Sequence, residues 1–194
     1  MNDRTFLAAD AHKLDDPDRL AWLPPGEVIG HLGHLQGLNV ADIGAGTGFF
    51  ALPFARETGR NGNVFAVDFQ EGMLARIREK VAAGDPGGRI SCLHGEAAAT
   101  GLAANSCDIV FMANVWHELD NTDAVLREVR SVLRAQGRLA IVDWRADVSP
   151  PPGPPAAHRV PPEDLRASLT RHGWEAAAPV HIGRYHYLQI ASPR

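Results

Sequence analysis

Cysteine is scarce in this chain, with two among 194 residues. Cys92 and Cys107 lie far apart in apolar stretches and form no Cys-x-x-Cys pair or ligand-spaced cluster. This argues against a disulfide framework and a thiolate metal centre, and favours two buried thiols in a reducing compartment. Positive charge is not in excess: the formal net charge is −4 and the isoelectric point is near 6.1. Nucleic acid and anionic membrane surfaces are therefore poor partners. Nowhere do about 18 apolar residues run together, and Met-Asn-Asp-Arg-Thr-Phe-Leu at the start holds no long apolar segment, so no membrane insertion is expected. No G-x-S-x-G nucleophile elbow occurs. His117-Glu118 does not open an H-E-x-x-H motif, because position 121 is Asn. These absences leave a single compact cytoplasmic domain, with 45% hydrophobic residues to build one core.

The most informative stretch is Val40 to Phe50, reading Val-Ala-Asp-Ile-Gly-Ala-Gly-Thr-Gly-Phe-Phe. A short apolar run enters a glycine-rich turn and a helical pattern follows, the arrangement of a nucleotide-type cofactor site in a doubly wound sheet. Gly44, Gly46 and Gly48 lack a Cβ, so the loop can turn tightly and lay its backbone on a ligand. The helix behind it aims amides at that ligand.

Downstream, strand-like and helix-like segments alternate. Strands are expected at Asn39–Ile43, Val64–Asp68, Ile90–His94, Asp108–Ala113, Arg138–Trp144, Ala177–Ile182 and Tyr185–Ala191. Helices are expected at Thr47–Glu57, Glu71–Ala83, Asp123–Leu133 and Pro162–His172, the third with Leu126, Val129, Val132 and Leu133 on one face. Such alternation implies an α/β fold with a mostly parallel sheet and right-handed crossovers. The last two strands meet around Gly183-Arg184 and leave no room for a crossover, so they should form an antiparallel hairpin. Asp15–Leu35 looks helical in two pieces around Pro24-Pro25 and reads as a lid over residues 1–37, beside the core of 38–194. The proline-rich stretch from Ser149 to Pro162 reads as a stiff loop that walls the substrate side.

Asp68 ends the second strand 20 residues beyond Gly48. A carboxylate there accepts both ribose hydroxyls of a bound nucleoside, whereas a purely structural Asp at that place would cap a helix. The glycine spacing is Gly44-x-Gly46-x-Gly48, tighter than the G-x-G-x-x-G of dinucleotide folds. With Asp42 inside the strand, it resembles the first motif of the class I S-adenosylmethionine-dependent methyltransferases. The resemblance continues through Val64–Asp68 with Met73-Leu74, through His94-Gly95-Glu96-Ala97, through Asp108–Val110 to Asn114-Val115-Trp116-His117-Glu118-Leu119, and through Leu133–Asp143. It covers roughly residues 36 to 145 and is nearest in flavour to the type 11 or quinone/sterol-like group.

The resemblance implies a Rossmann-like sheet of seven strands and S-adenosyl-L-methionine as cofactor. It places Gly44, Ala45 and Gly46 against the methionine part, with Asp42 near the ammonium through backbone or water. Asp68 would hold the ribose, Phe69 would flank the adenine, and Met73 would follow in the same motif. Glu96 would accept from the adenine amino group, the Ala97 amide would meet a ring nitrogen, and the Asn114 backbone would approach the ammonium. It also implies a small-molecule acceptor. Methyl transfer from a sulfonium needs alignment, desolvation and sometimes a base. His117, after the fourth strand, is the neutral-pH base in that position, or else it only shapes the pocket. Trp116 is available to wall the substrate.

Three features stand outside this reading. His31-x-x-His34 has metal-ligand spacing on one helix face, but no Cys or carboxylate completes a set, so a polar lid face near the cofactor is expected and no metal. Asp120 and Asp123 should begin the next helix. His158 and Arg159 either reach substrate or lie in solvent. Arsenite methylation ranks low with only two thiols. The rivals from other classes are a nicotinamide-dependent oxidoreductase and a cofactor-binding module without turnover.

Overall fold

A computed structural model describes residues 8–148 and 153–194. Its elements alternate as anticipated. The helical turn α1 (Arg19–Trp22) and α2 (Pro25–Leu32) precede β1 (Asn39–Ile43), α3 (Ala51–Thr58), β2 (Asn63–Asp68), α4 (Glu71–Ala83) and β3 (Ile90–His94). Then come β4 (Cys107–Ala113), α5 (Thr122–Val132), β5 (Leu133–Trp144), α6 (Pro162–Arg171), β6 (Trp174–Ala176), β7 (Val180–Ile182) and β8 (His186–Pro193). The sheet order is β3-β2-β1-β4-β5-β8-β6, with β7 also on β8. β1 to β5 pair in parallel, whereas β8 runs antiparallel to β5, β6 and β7.

The sheet has eight strands, one more than expected: Trp174–Ala176 is an additional strand, and the anticipated Ala177–Ile182 strand is shortened to Val180–Ile182. Pro179 lies between them and lacks the N–H that a continuous ladder needs. The hairpin itself forms, with Val180 opposite Leu188 and Ile182 opposite His186. The first helix also differs: it starts at Ala51, not Thr47, because Gly44, Gly46 and Gly48 all take positive φ and spend the preceding residues on a turn. Asn121, not Asp120, caps α5 by accepting the Ala124 amide at 3.0 Å.

Strand alternation divides the core between the two faces of the sheet. Val40, Val64, Ile109, Phe111 and Val142 pack with Val28 and Leu32 of α2 and with Phe54 of α3. Ala41, Val110, Met112, Leu139 and Ile141 pack with Val125, Leu126 and Val129 of α5 and with Leu165 and Leu169 of α6. Every helix that covers the sheet does so through such an apolar face, which is where most of its stability comes from.

Residues 8–37 do two different jobs. The segment from Ala8 to Trp22 lies at the carboxyl ends of the parallel strands, where Leu14 and Asp15 meet the glycine loop. α2 instead descends one face of the sheet, and Leu32 ends beside Arg138 near the amino ends of β4 and β5. α2 closes at Gly33 (φ 75°), which puts His34 outside the helix, and both His31 and His34 are exposed. The expected shared helix face near the cofactor is thereby corrected: these imidazoles sit toward the far edge of the sheet. No His/Cys/Asp/Glu cluster suited to a metal occurs among the described residues. No helix among them is long and apolar enough to cross a membrane.

Candidate active site

The sheet order reverses between β1 and β4, and doubly wound folds bind ligands in the crevice at the carboxyl ends of such strands. The glycine loop borders this crevice. Gly44 takes φ 71° and Gly46 φ 53°, a region that side-chain-bearing residues rarely adopt. A Cβ on Gly44 would lie 2.4 Å from Val115 Cγ2, so the loop and the end of β4 can meet only because that atom is missing. The loop is tied to β2, since the Gly44 and Ala45 amides donate to the Val67 carbonyl at 2.8 and 3.0 Å.

Asp68 completes that tie. Its Oδ2 accepts the Gly46 amide and its Oδ1 the Gln70 amide, each at 2.9 Å. The carboxylate thus fixes the glycine turn and the entry to α4 at once, and each oxygen retains a lone pair for a ligand hydroxyl. Burial raises its pKa, while the Gln70 and Gly46 amides oppose that rise.

Two further acceptor atoms, one on Asp42 and one on Asn114, are buried without a hydrogen bond. Asp42 is 2% exposed, and its Oδ2 is buried and unbonded. Burial, then the charge of Asp68, pushes its pKa up to about 7, with Arg19 and the Ala51 amide pulling the other way. Asn114 takes φ 59°, its N–H donates to the Val142 carbonyl at 2.9 Å, and its Oδ1 is buried and unbonded. Orphaned buried acceptors cost free energy unless a donor arrives, and two on adjacent strands suit a cationic, hydrogen-bonding group.

Farther from the loop the crevice is more open. Phe69 is 39% exposed, a large ring left at the surface beside Asp68. The Glu96 side chain is exposed, while its backbone bridges Ala99 and Ala97 is half-buried. Met73, by contrast, is a buried residue of α4, 2% exposed.

On the other side of the crevice stands His117, in a 3-10 turn (Trp116–Glu118) just after β4. Its ring Nδ1 lies 2.8 Å from Asp143 Oδ1, and its backbone N–H donates to Asp143 Oδ2 at 3.0 Å. Asp143 is fully buried near the end of β5 and also accepts the Trp144 amide at 2.8 Å. Burial opposes protonation of His117, but the hydrogen bond and charge of Asp143, with Glu118 adding to them, outweigh it and raise the pKa. Asp143 went unnoticed in the sequence. The available signal was a carboxylate ending the apolar run Leu139-Ala140-Ile141-Val142, where a buried charge needs a partner.

Trp116, in this turn, is 4% exposed and packs in the core with α5. Beyond β5, Ser149 to Pro152 lie outside the described residues, and the chain resumes with Gly153 against the Trp144 indole. Arg159 is neither solvated nor aimed outward. It is 5% exposed and donates to the Pro154 and Arg145 carbonyls, fastening the loop. Cys107 is buried and Cys92 is half-buried, both as free thiols.

Comparison with known proteins agrees with this geometry. Residues 40–137, half of the chain, match the family model described as a methyltransferase domain. Over 108 residues the chain is 35% identical to a demethylmenaquinone methyltransferase of Listeria monocytogenes, covering 56% of this chain and 45% of that protein. It is 32% identical over 114 residues to a ubiquinone/menaquinone biosynthesis C-methyltransferase of Hahella chejuensis, covering 59% and 46%. The chain therefore spans about half the length of these relatives. A crystal structure of a SAM-dependent methyltransferase from Aquifex aeolicus superposes with a TM-score of 0.89 at 31% identity, covering 96% of this chain and 98% of that one. With a matching domain model, a full-length structural relative and the glycine loop in place, the chain belongs to the class I S-adenosylmethionine-dependent methyltransferases.

Proposed function

We propose that this chain transfers the methyl group of S-adenosylmethionine to a small-molecule acceptor, with His117 as the base. The observation that carries this reading is the His117–Asp143 pair, 2.8 Å apart and buried across the crevice from the glycine loop. The relatives named for quinone biosynthesis support an acceptor of small-molecule size.

The residues present fit the family cofactor. Asp42 Oδ2 and Asn114 Oδ1, unbonded and buried, suit its ammonium. The turn at Gly44, Ala45 and Gly46 gives a backbone surface that would take the methionine part, and Asp68 would hold the ribose. Phe69 would flank the adenine, with Glu96 and Ala97 as the groups that would meet its edge. When bound, the cofactor supplies a methyl already activated on a sulfonium. The chain then has to align the acceptor, exclude water and receive a proton. Asp143 accepts from His117 Nδ1–H, which fixes the tautomer with Nε2 as the proton acceptor. His117 is 4% exposed, so an acceptor reaches Nε2 only when the covering segments part.

The test is transfer of radiolabelled methyl from S-adenosylmethionine to a panel of quinols, phenols, amines and thiols. Transfer that falls about 10²- to 10⁴-fold in His117→Ala is expected, with cofactor affinity kept. Binding with no transfer to any acceptor, or undiminished transfer by His117→Ala, would overturn the reading.

A further inference from the structure

We infer that Arg19 is the receptor for the carboxylate of the cofactor's amino-acid end, making the N-terminal segment a part of the cofactor site. The inference rests on the glycine loop being that cofactor's cradle. An amino-acid end is a zwitterion, and burying it requires an anion for its ammonium and a cation for its carboxylate. Asp42 provides the first.

Arg19 provides the second. It comes from α1 yet is 7% exposed, unusual burial for an arginine on a four-residue turn at the protein's edge. Its guanidinium lies 4.1 Å from the centroid of Phe49, the residue that follows Gly48. One N–H donates to the Leu14 carbonyl at 3.2 Å, which leaves the guanidinium fork with donors to spare. Burial lowers its pKa to about 10, and the charges of Asp42 and Asp15 raise it in return. Arg19 and Asp42 feel each other's charge, but Asp42 Oδ2 accepts no hydrogen bond. The two charges stand apart, as the two ends of a zwitterion require.

Lys80, a second cation near the loop, is engaged elsewhere: its ammonium donates to Asp15 Oδ1 and to the Thr47 carbonyl, both at 2.7 Å. That engagement serves Arg19. Asp15 Oδ1 also accepts the Thr47 hydroxyl at 2.6 Å, and Leu14 Cδ1 lies 3.1 Å from where a Gly46 Cβ would be. The segment that delivers Arg19 is thus pinned to the loop on which the methionine part would lie. A carboxylate held by Arg19 adds a further tie across the same seam, so cofactor binding and docking of this segment favour each other.

The experiment is calorimetric titration of the full chain with two ligands. S-adenosylhomocysteine carries the amino-acid end, and 5′-methylthioadenosine lacks it. Arg19→Gln should weaken S-adenosylhomocysteine by about 10- to 100-fold and change 5′-methylthioadenosine by less than about twofold. Asp15→Asn, which loosens the pinned segment and leaves Arg19 intact, should show the same selectivity with a smaller loss. Arg19→Lys should recover part of the affinity, because it restores charge without the fork. Equal losses for both ligands in Arg19→Gln would overturn the inference, as would unchanged or tighter S-adenosylhomocysteine binding, which would make Arg19 a placeholder that the cofactor expels. Wild-type protein that binds neither ligand would instead sink the underlying cofactor assignment.

Discussion

On the β1–β2 side of the crevice the site is made mostly of backbone. Three glycines at positive φ, two amides on the Val67 carbonyl and one on Asp68 set its shape. On the β4–β5 side it is made of side chains brought together from afar, with His117 and Asp143 separated by 26 residues. In the proposed reading, the backbone cradle serves the cofactor and the paired side chains serve the acceptor. The two sides should therefore fail differently when altered.

The largest effect is expected at Gly44. Alanine there would bring a Cβ within 2.4 Å of Val115 and hold φ at 71°, a cost of about 2–4 kcal/mol from overpacking and backbone strain. For a domain of this size that lowers the melting temperature by roughly 5–15 °C. Gly101→Ala is the control, since it shares a positive φ of 74° but meets nothing within 4 Å. Equal melting shifts for the two variants would show that the close approach between loop and β4 does not matter.

Next comes Asp143→Asn, which tests the other side through pH. In the proposed role as base His117 must be neutral, so activity should rise with pH through a folded pKa above the ordinary 6.5. Removing the Asp143 charge should move that inflection to lower pH and slow turnover by about 10- to 100-fold. An unmoved inflection would mean that Asp143 only supports the fold. The same linkage affects stability: the pair stabilises the fold below pH 6.5 and that contribution fades as pH rises through the folded pKa.

Asp42→Asn exposes a trade-off within the cradle. The pKa of Asp42 is raised from 3.8 to about 7, so between those values the unfolded chain ionises first and stability falls as pH rises. The Asn variant should melt higher than wild type at pH 8, by on the order of a few °C, and bind S-adenosylhomocysteine more weakly. A lower melting temperature at pH 8 would show that Asp42 is paired in the free protein. The smallest effect is expected from Glu96→Gln: this side chain is exposed, and an exposed polar contact to a ligand is worth under about 1 kcal/mol, or less than about fivefold in affinity.

The contrast also explains what could be read in the sequence. The glycine loop, Asp68 and the strand alternation are local patterns with direct geometric meaning, and they were legible. The shortening of the expected Ala177–Ile182 strand to Val180–Ile182 depended on one proline in a short run, and the start of α3 on how many residues a glycine turn consumes. Asp143 and Arg19 were hidden for another reason. Their roles arise from tertiary neighbours, and neither residue carries a spacing that announces its partner. His31 and His34 show the converse, a tempting spacing undone by Gly33 ending the helix between them.

The most direct test of the two-sided account is a calorimetric titration of S-adenosylhomocysteine into wild type, Asp68→Ala and His117→Ala. The account predicts comparable affinity for wild type and His117→Ala, and a loss of about 100-fold or more for Asp68→Ala, which gives up the proposed ribose contacts and the Gly46 anchor together. Loss of affinity in His117→Ala equal to that in Asp68→Ala would contradict it, because both sides of the crevice would then be serving the cofactor.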